Sequence, residues 1–135
     1  MQYSPSNAPA VGATIKMKLF KIKHRDLVLF SKGGSYVNDT ESYYKDKQGN
    51  PTYYSWSKRG KTWTGLGPLK SHLRQYCEEL RNYSVHNEDP SKPRRIWKNN
   101  IPETWIVCEF DIATQTTKEY PAKDLYPPST LMETA

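Results

Sequence analysis

The stretch Trp56–Leu73, WSKRGKTWTGLGPLKSHL, gathers the residue types that hold an anion: four cations (Lys58, Arg59, Lys61 and Lys70), two tryptophans and three glycines. Gly60 stands where a tight turn needs a positive φ, and Gly65-Leu66-Gly67-Pro68 opens an apolar-periodic run that reads as a helix start. Backbone N–H groups at a helix N-terminus lack partners and carry partial positive charge, which suits phosphate. Lys and Arg add point charge and forked hydrogen bonds. The segment is not a P-loop, because the Gly-Lys-Ser/Thr triplet is missing at the required spacing. The chemistry within reach is phosphate contact by Lys58, Arg59 and Lys61, extended along the helix by Lys70 and Arg74. The same residues also have a purely structural reading, in which glycines serve turns and cations keep a hairpin tip solvated.

A second basic cluster, PRRIWKNN, sets Arg94, Arg95 and Lys98 around Trp97 in what reads as a loop. Cations interleaved with a ring suit phosphate contact plus base stacking, so Trp97, and with it Trp56, are expected to stack on bases. Trp56 and Trp63 lie seven apart across the turn, and cross-strand pairing or core packing is the competing use of both. Tyr53 and Tyr54 carry the same two readings. Lys16, Lys18, Lys21 and Lys23 divide between the two faces of a strand and read as edge protection.

Catalytic chemistry finds little material. His24, His72 and His86 are scattered without metal spacing. Glu78 and Glu79 are adjacent and diverge on a helix, and Cys77 with His72 makes a poor nucleophile–base pair on one helix. Cys77 and Cys108 form no metal or redox spacing and read as reduced, inert thiols. The expectation is a non-enzymatic chain with no cofactor and no metal.

The elements that must position these residues follow from the pattern. The chain of 135 residues fits one domain, with 36% hydrophobic and 13% aromatic residues, so rings must supply much of the packing. Residues 1–54 hold 8 Lys and Arg against 4 Asp and Glu, residues 55–100 hold 10 against 4, and residues 101–135 hold 2 against 6. A basic surplus confined to the first two thirds favours a polyanionic partner. No apolar run reaches the roughly 18 residues of a membrane span, and QYSPSNAPAVG lacks the form of a secretory leader.

Residues 1–12 read as a disordered arm, 13–127 as a single domain and 128–135 as a frayed tail. TIKMKLFKIKHRDLVLF reads as a hairpin, with a bulge near Leu19–Phe20 or cover on both faces to explain its phase slip. Residues 35–51 read as a long loop or small excursion. Tyr53–Lys58 and Thr62–Trp63 form the arms of the basic hairpin. Leu66, Leu69, Leu73, Tyr76, Leu80 and Tyr83 make one helical stripe, and residues 84–104 read as loop. Trp105–Ile112 is a strand with Ile106, Cys108, Phe110 and Ile112 on its apolar face, returning through Thr117–Tyr120. The sum is α+β: about six antiparallel strands in the order ββ-ββ-α-ββ, packed against one long helix.

FSKGG (Phe30–Gly34), the Trp56–Leu73 stretch and YPAKDLY (Tyr120–Tyr126) resemble a loose group of small accessory proteins of tailed bacteriophages. That resemblance implies a protein of the infected bacterial cytoplasm acting on host or phage machinery, and it brings no catalytic residues. The strand–turn–strand–helix order of Tyr53–Tyr83 is also similar in outline to AP2-type DNA-binding domains, without their base-reading arginine pattern. The resulting expectation is an anion-binding accessory protein with nucleic acid or a nucleotide as ligand and no membrane partner. Two alternatives stand beside it: an effector that inhibits a host protein through the same patch, and a sponge for a nucleotide second messenger. The last needs a closed pocket, which a homo-oligomer would supply.

Overall fold

The computed structural model describes residues 17–34, 40–82 and 94–133. The expected N-terminal arm, Lys16, Tyr83 and His86 lie outside those residues. The elements are β1 (Lys18–His24), β2 (Leu29–Ser31), β3 (Tyr43–Lys45), β4 (Pro51–Tyr53), β5 (Trp56–Ser57), α1 (Leu66–Arg74), β6 (Cys77–Asn82), β7 (Arg94–Asn99), β8 (Trp105–Asp111), β9 (Thr116–Pro121), a 3-10 turn at Ala122–Leu125 and β10 (Thr130–Glu133). They make a five-stranded sheet ordered β5-β2-β1-β8-β9, a three-stranded sheet β10-β7-β6 and the two-stranded hairpin β3-β4. The α+β class with antiparallel pairing holds, while the strands are more numerous and the helix shorter than the sequence pattern predicts.

β1 and β8 form the spine, in unbroken register from Lys18↔Asp111 to His24↔Trp105. No bulge interrupts β1; its phase slip instead reflects apolar residues on both faces. Phe20, Ile22 and His24 share the inner face with Trp105 and Val107, and α1 covers it with Leu69 and Leu73. Ile106, Cys108 and Phe110 occupy the outer face, opposite to the expected burial. The side is chosen by ring volume: Trp105, 1% exposed, fills the centre of the core and carries Val107 inward with it. Much of that core is one run of rings. His24 meets Trp56 at 5.0 Å, Trp56 meets Trp105 at 5.3 Å, Trp105 meets Tyr76 at 4.8 Å, Tyr76 meets His72 at 5.9 Å and His72 meets Trp63 at 5.3 Å.

The expected long helix stops at Arg74. Its final turn is closed by Gln75 and Tyr76 donating back to His72 and Leu73 carbonyls, and the Arg74 guanidinium donates to Cys77 O at 2.7 Å. Cys77–Asn82 then pairs residue for residue with β7. The helical spacing of Tyr76 and Leu80 loses to this non-local partner, which is how sheet pairing overrides local periodicity. β7 itself corrects the expected 84–104 loop over Arg94–Asn99, and Pro102 follows the strand without entering it; residues 84–93 of that expected loop lie outside the described residues. β7 then offers a second edge, on which Thr130–Glu133 pairs instead of fraying. The segment around residues 40–53 is the small excursion, a hairpin whose turn is held by Asp46 Oδ1 accepting from Gln48 N and Asn50 N, both at 2.9 Å.

Buried Asn99 stitches the end of β7 to the 3-10 turn and the C-terminal segment. Its Nδ2 donates to the carbonyls of Lys123 (3.0 Å), Pro127 (3.1 Å) and Tyr126 (3.3 Å), while its Oδ1 accepts from Ile101 N at 3.1 Å. Lys123 Nζ answers from the 3-10 turn by donating to Asn99 O and Ile101 O.

Candidate functional site: a basic turn beside an open sheet face

Lys58–Lys61 does not cap a hairpin. β5 pairs with the outer side of β2, through Phe30↔Ser57 and Ser31↔Trp56. The chain then wraps the end of that three-residue strand and comes down on β1, where Trp63 exchanges both backbone hydrogen bonds with Phe20 at 2.8 Å. The expected pairing of Tyr53–Lys58 with Thr62–Trp63 is therefore replaced by a crossover turn, because β2 is too short to keep its neighbours apart. Three contacts pin the turn: Gly60 N donates to Ser57 Oγ at 2.8 Å, Lys61 N to Ser31 O at 2.7 Å, and Lys21 Nζ to Arg59 O at 2.6 Å. Gly60 has φ +64°, and a Cβ there would meet Phe30 Cβ at 2.4 Å, so only glycine lets the turn lie on Phe30.

Lys58, Arg59 and Lys61 project from this turn and are exposed. Among the described residues no salt bridge joins them to a carboxylate, whereas Lys18 is bridged to Glu109, Lys23 to Glu119 and Arg25 to Asp26. The Lys61 ammonium lies 5.2 Å over the buried Trp63 ring. It is also close enough to His72 of α1 to add to the effect of burial, which holds that imidazole below its usual pKa. Where α1 begins, Gly65 is the N-cap with no side-chain hydrogen bond, and the first turn has no acidic residue.

The other expected phosphate ligands form a separate group at the seam of α1, β7 and the C-terminal segment. The half-buried Lys70 holds its ammonium 5.3 Å over Tyr126, whose hydroxyl donates to Lys70 O at 2.7 Å. The Arg74 guanidinium sits 5.1 Å over Trp97, and the Trp97 indole N–H donates to Pro127 O at 2.8 Å. One face of Trp97 is thus already occupied by a cation of the chain itself. Lys98 is exposed and pairs in register with Glu78, while Arg94 and Arg95 are strand residues of β7 in register with Asn82 and Arg81. Trp56 cannot stack on a ligand: it is 2% exposed, donates its indole N–H to Thr40 O at 2.8 Å and packs edge-on against His24 and Trp105. A chain short of aliphatic residues uses this ring inside. The exposed aromatic pairs are elsewhere, in the β3–β4 hairpin, with Tyr43 on Tyr53 at 5.2 Å and Tyr44 on Tyr54 at 5.4 Å.

The titratable core residues are held as structural groups. His24 Nδ1 accepts from Asp26 N and Leu27 N, which leaves Nε2 to donate to Glu41 Oε2 at 3.1 Å. Burial, assisted by Glu119, pushes the Cys108 thiol up to about 11, so it is no nucleophile near neutral pH. Burial likewise raises the Cys77 thiol. No cluster of three or more metal-ligating side chains occurs among the described residues.

The feature that sequence reasoning missed lies on the outer sheet face. Leu19, Phe30, Cys108 and Phe110 floor a cavity of about 340 Å³, with Lys21, Lys23 and Glu119 also lining it. The signal was present in the doubled apolar pattern of β1, which has hydrophobic residues at both parities and therefore two apolar faces. No helix among the described residues is long and apolar enough to cross a membrane. No protein-family model matches the chain, and neither a curated protein nor a solved structure gives a significant match.

Proposed function

We propose that this chain is a non-enzymatic binding module, of the phage-accessory kind its motifs resemble, that holds an anionic nucleic-acid or nucleotide ligand at the Lys58–Lys61 turn in the cytoplasm of an infected bacterium. The observation that carries this reading is the contrast in pairing. Lys18 and Lys23 of β1, and Arg25 just after it, are matched by carboxylates, while Lys58, Arg59 and Lys61 are exposed on a pinned turn without such a match among the described residues. A rigid backbone that presents unmatched charge spares a polyanion the cost of ordering the site. Lys70 and Arg74 extend this patch less directly, since both lie over rings of the chain itself.

The test is a salt titration with labelled single-stranded and duplex oligonucleotides. Three phosphate contacts give a log–log slope of about −2 for single strands and about −3 for duplex. Replacing Lys58, Arg59 and Lys61 together by Gln flattens it by that amount. A slope unmoved by the triple replacement, or no binding at low salt, overturns the assignment. A second reading, an effector that inhibits a host protein, is favoured by the apolar outer sheet face. A stoichiometric host-protein complex recovered from nuclease-treated lysate, together with no oligonucleotide binding, would select it.

A further inference from the structure

The outer face of the five-stranded sheet has a composition that solvent alone does not explain. Register aligns Leu19 with Phe110 and Lys21 with Cys108 on this face, and Phe30 joins it across β2 opposite Lys23. Met17 and Ile112, joined by a backbone hydrogen bond, continue the apolar strip beyond the end of β1. Met17 is 54% exposed, Phe110 36% and Ile112 37%. Contiguous apolar surface of this kind on a charged chain marks a contact site.

The charges around the strip specify what fits. Lys21 lies on it, with its ammonium 4.8 Å over the Phe30 ring, and its bond to Arg59 O fixes the basic turn at the same end. Lys23 adds a cation that Glu119 balances. The surplus is positive and lies at one end of an apolar floor, so the complementary surface is apolar with carboxylates at its flank. The chain's own N-terminal segment does not fit this description, since residues 1–16 contain Lys16 and no Asp or Glu. A second copy of this face would bring like charges together. A small acid would fill the cavity but leave both the Met17–Ile112 strip and the turn untouched.

We infer that the outer face of the five-stranded sheet, from Met17 and Ile112 to the Lys58–Lys61 turn, is a docking groove for an apolar, acid-flanked segment of a partner protein. This goes beyond nucleotide binding at the turn: it adds an apolar floor that phosphate chemistry does not use.

The probe is a fluorescein-labelled peptide alternating Glu with Phe and Leu, with a control carrying Lys in place of each Glu. It is titrated into the full chain and followed by anisotropy, with amide shifts mapped on the isotope-labelled protein. The acidic peptide binds, the control does not, and the shifted amides are those of β1, β8, β9 and the Lys58–Lys61 turn. F110D weakens the peptide about tenfold or more and leaves oligonucleotide affinity unchanged. Phe110 is surface-placed enough for that variant to fold, and T117E on the neighbouring strand gives a second reading of the same effect. Loss of oligonucleotide binding on replacing the turn cations, with F110D still weakening the peptide, separates the apolar floor from the phosphate contacts. Equal binding of acidic and basic peptides, no effect of F110D and T117E, shifts confined to the β3–β4 hairpin, or a self-associating chain that buries Phe110 would each overturn the inference.

Discussion

Replacing Gly60 by Ala tests the geometry that presents the basic turn. At φ +64° an added Cβ meets Phe30 Cβ at 2.4 Å, Ser31 O at 2.8 Å and Phe30 C at 2.9 Å. Two of those three atoms are backbone, so relief requires moving the turn off β2. The left-handed conformation costs alanine about 1–2 kcal/mol and the overpacking about 1–3 kcal/mol more. The stiffer unfolded chain returns about 0.4–1 kcal/mol, leaving a net loss of about 1–4.5 kcal/mol. Gly49 is the internal control, with φ +84° and no neighbouring atom within 4 Å. Alanine there meets only the backbone penalty, a net loss of about 0–1.5 kcal/mol. Urea unfolding of both variants at matched m-values measures the difference directly. Equal midpoints for G60A and G49A would refute the claim that the turn rests on Phe30 and Ser31.

Asn99→Ala strips hydrogen bonds from three carbonyls and one backbone N–H; a loss of about 2–4 kcal/mol is expected. Amide exchange should rise at Ile101 and Tyr126 before it rises in β1, and unchanged protection at Ile101 would contradict the stitching role. His72→Phe probes pH dependence. Burial, then Lys61, hold the folded imidazole below the ordinary 6.5, so the unfolded chain takes up a proton first as pH falls. Wild-type stability is therefore complete above about 6.5 and declines below it, by at most about 1.4 kcal/mol per pH unit. The Phe variant escapes that decline, and a pH-independent gap between the two urea midpoints would be the wrong result. Cys108, raised from 9.0 to about 11, should react with a disulfide reagent near pH 8 roughly tenfold more slowly than in urea. Its thiolate fraction falls about a hundredfold, and higher nucleophilicity restores about a factor of ten. Equal rates in buffer and urea would remove the burial argument.

How far the sequence could be read depended on whether one local signal decided each element. The α+β class, the β1 and β8 strands and the start of α1 at Leu66 were legible, because alternation and a Gly-Pro opening act within a few residues. The end of α1 was not: Tyr76 and Leu80 satisfy helical spacing, and only β7, itself hidden between prolines, turns Cys77–Asn82 into a strand. The same blindness to partners made Ile106, Cys108 and Phe110 look like the core face of β8. Both faces are apolar, and the volume of Trp105 decides between them. At the site, the identity of the basic turn was legible from Lys58-Arg59-Gly60-Lys61, but its pinning by Lys21 and Ser31 is a long-range fact. For Trp56 the shortage of aliphatic residues already favoured packing over stacking on bases, and the structure spends it inside.

The run of rings from His24 to Trp63 gives the protein an intrinsic optical reporter. Trp56, Trp105 and Trp63 belong to that run, with Tyr76 and His72 between the last two. Lys61 rests on the outermost indole of the run. A ligand that drew the Lys61 ammonium off this ring would change the charge beside a buried indole, and intrinsic fluorescence would read that change without an attached dye.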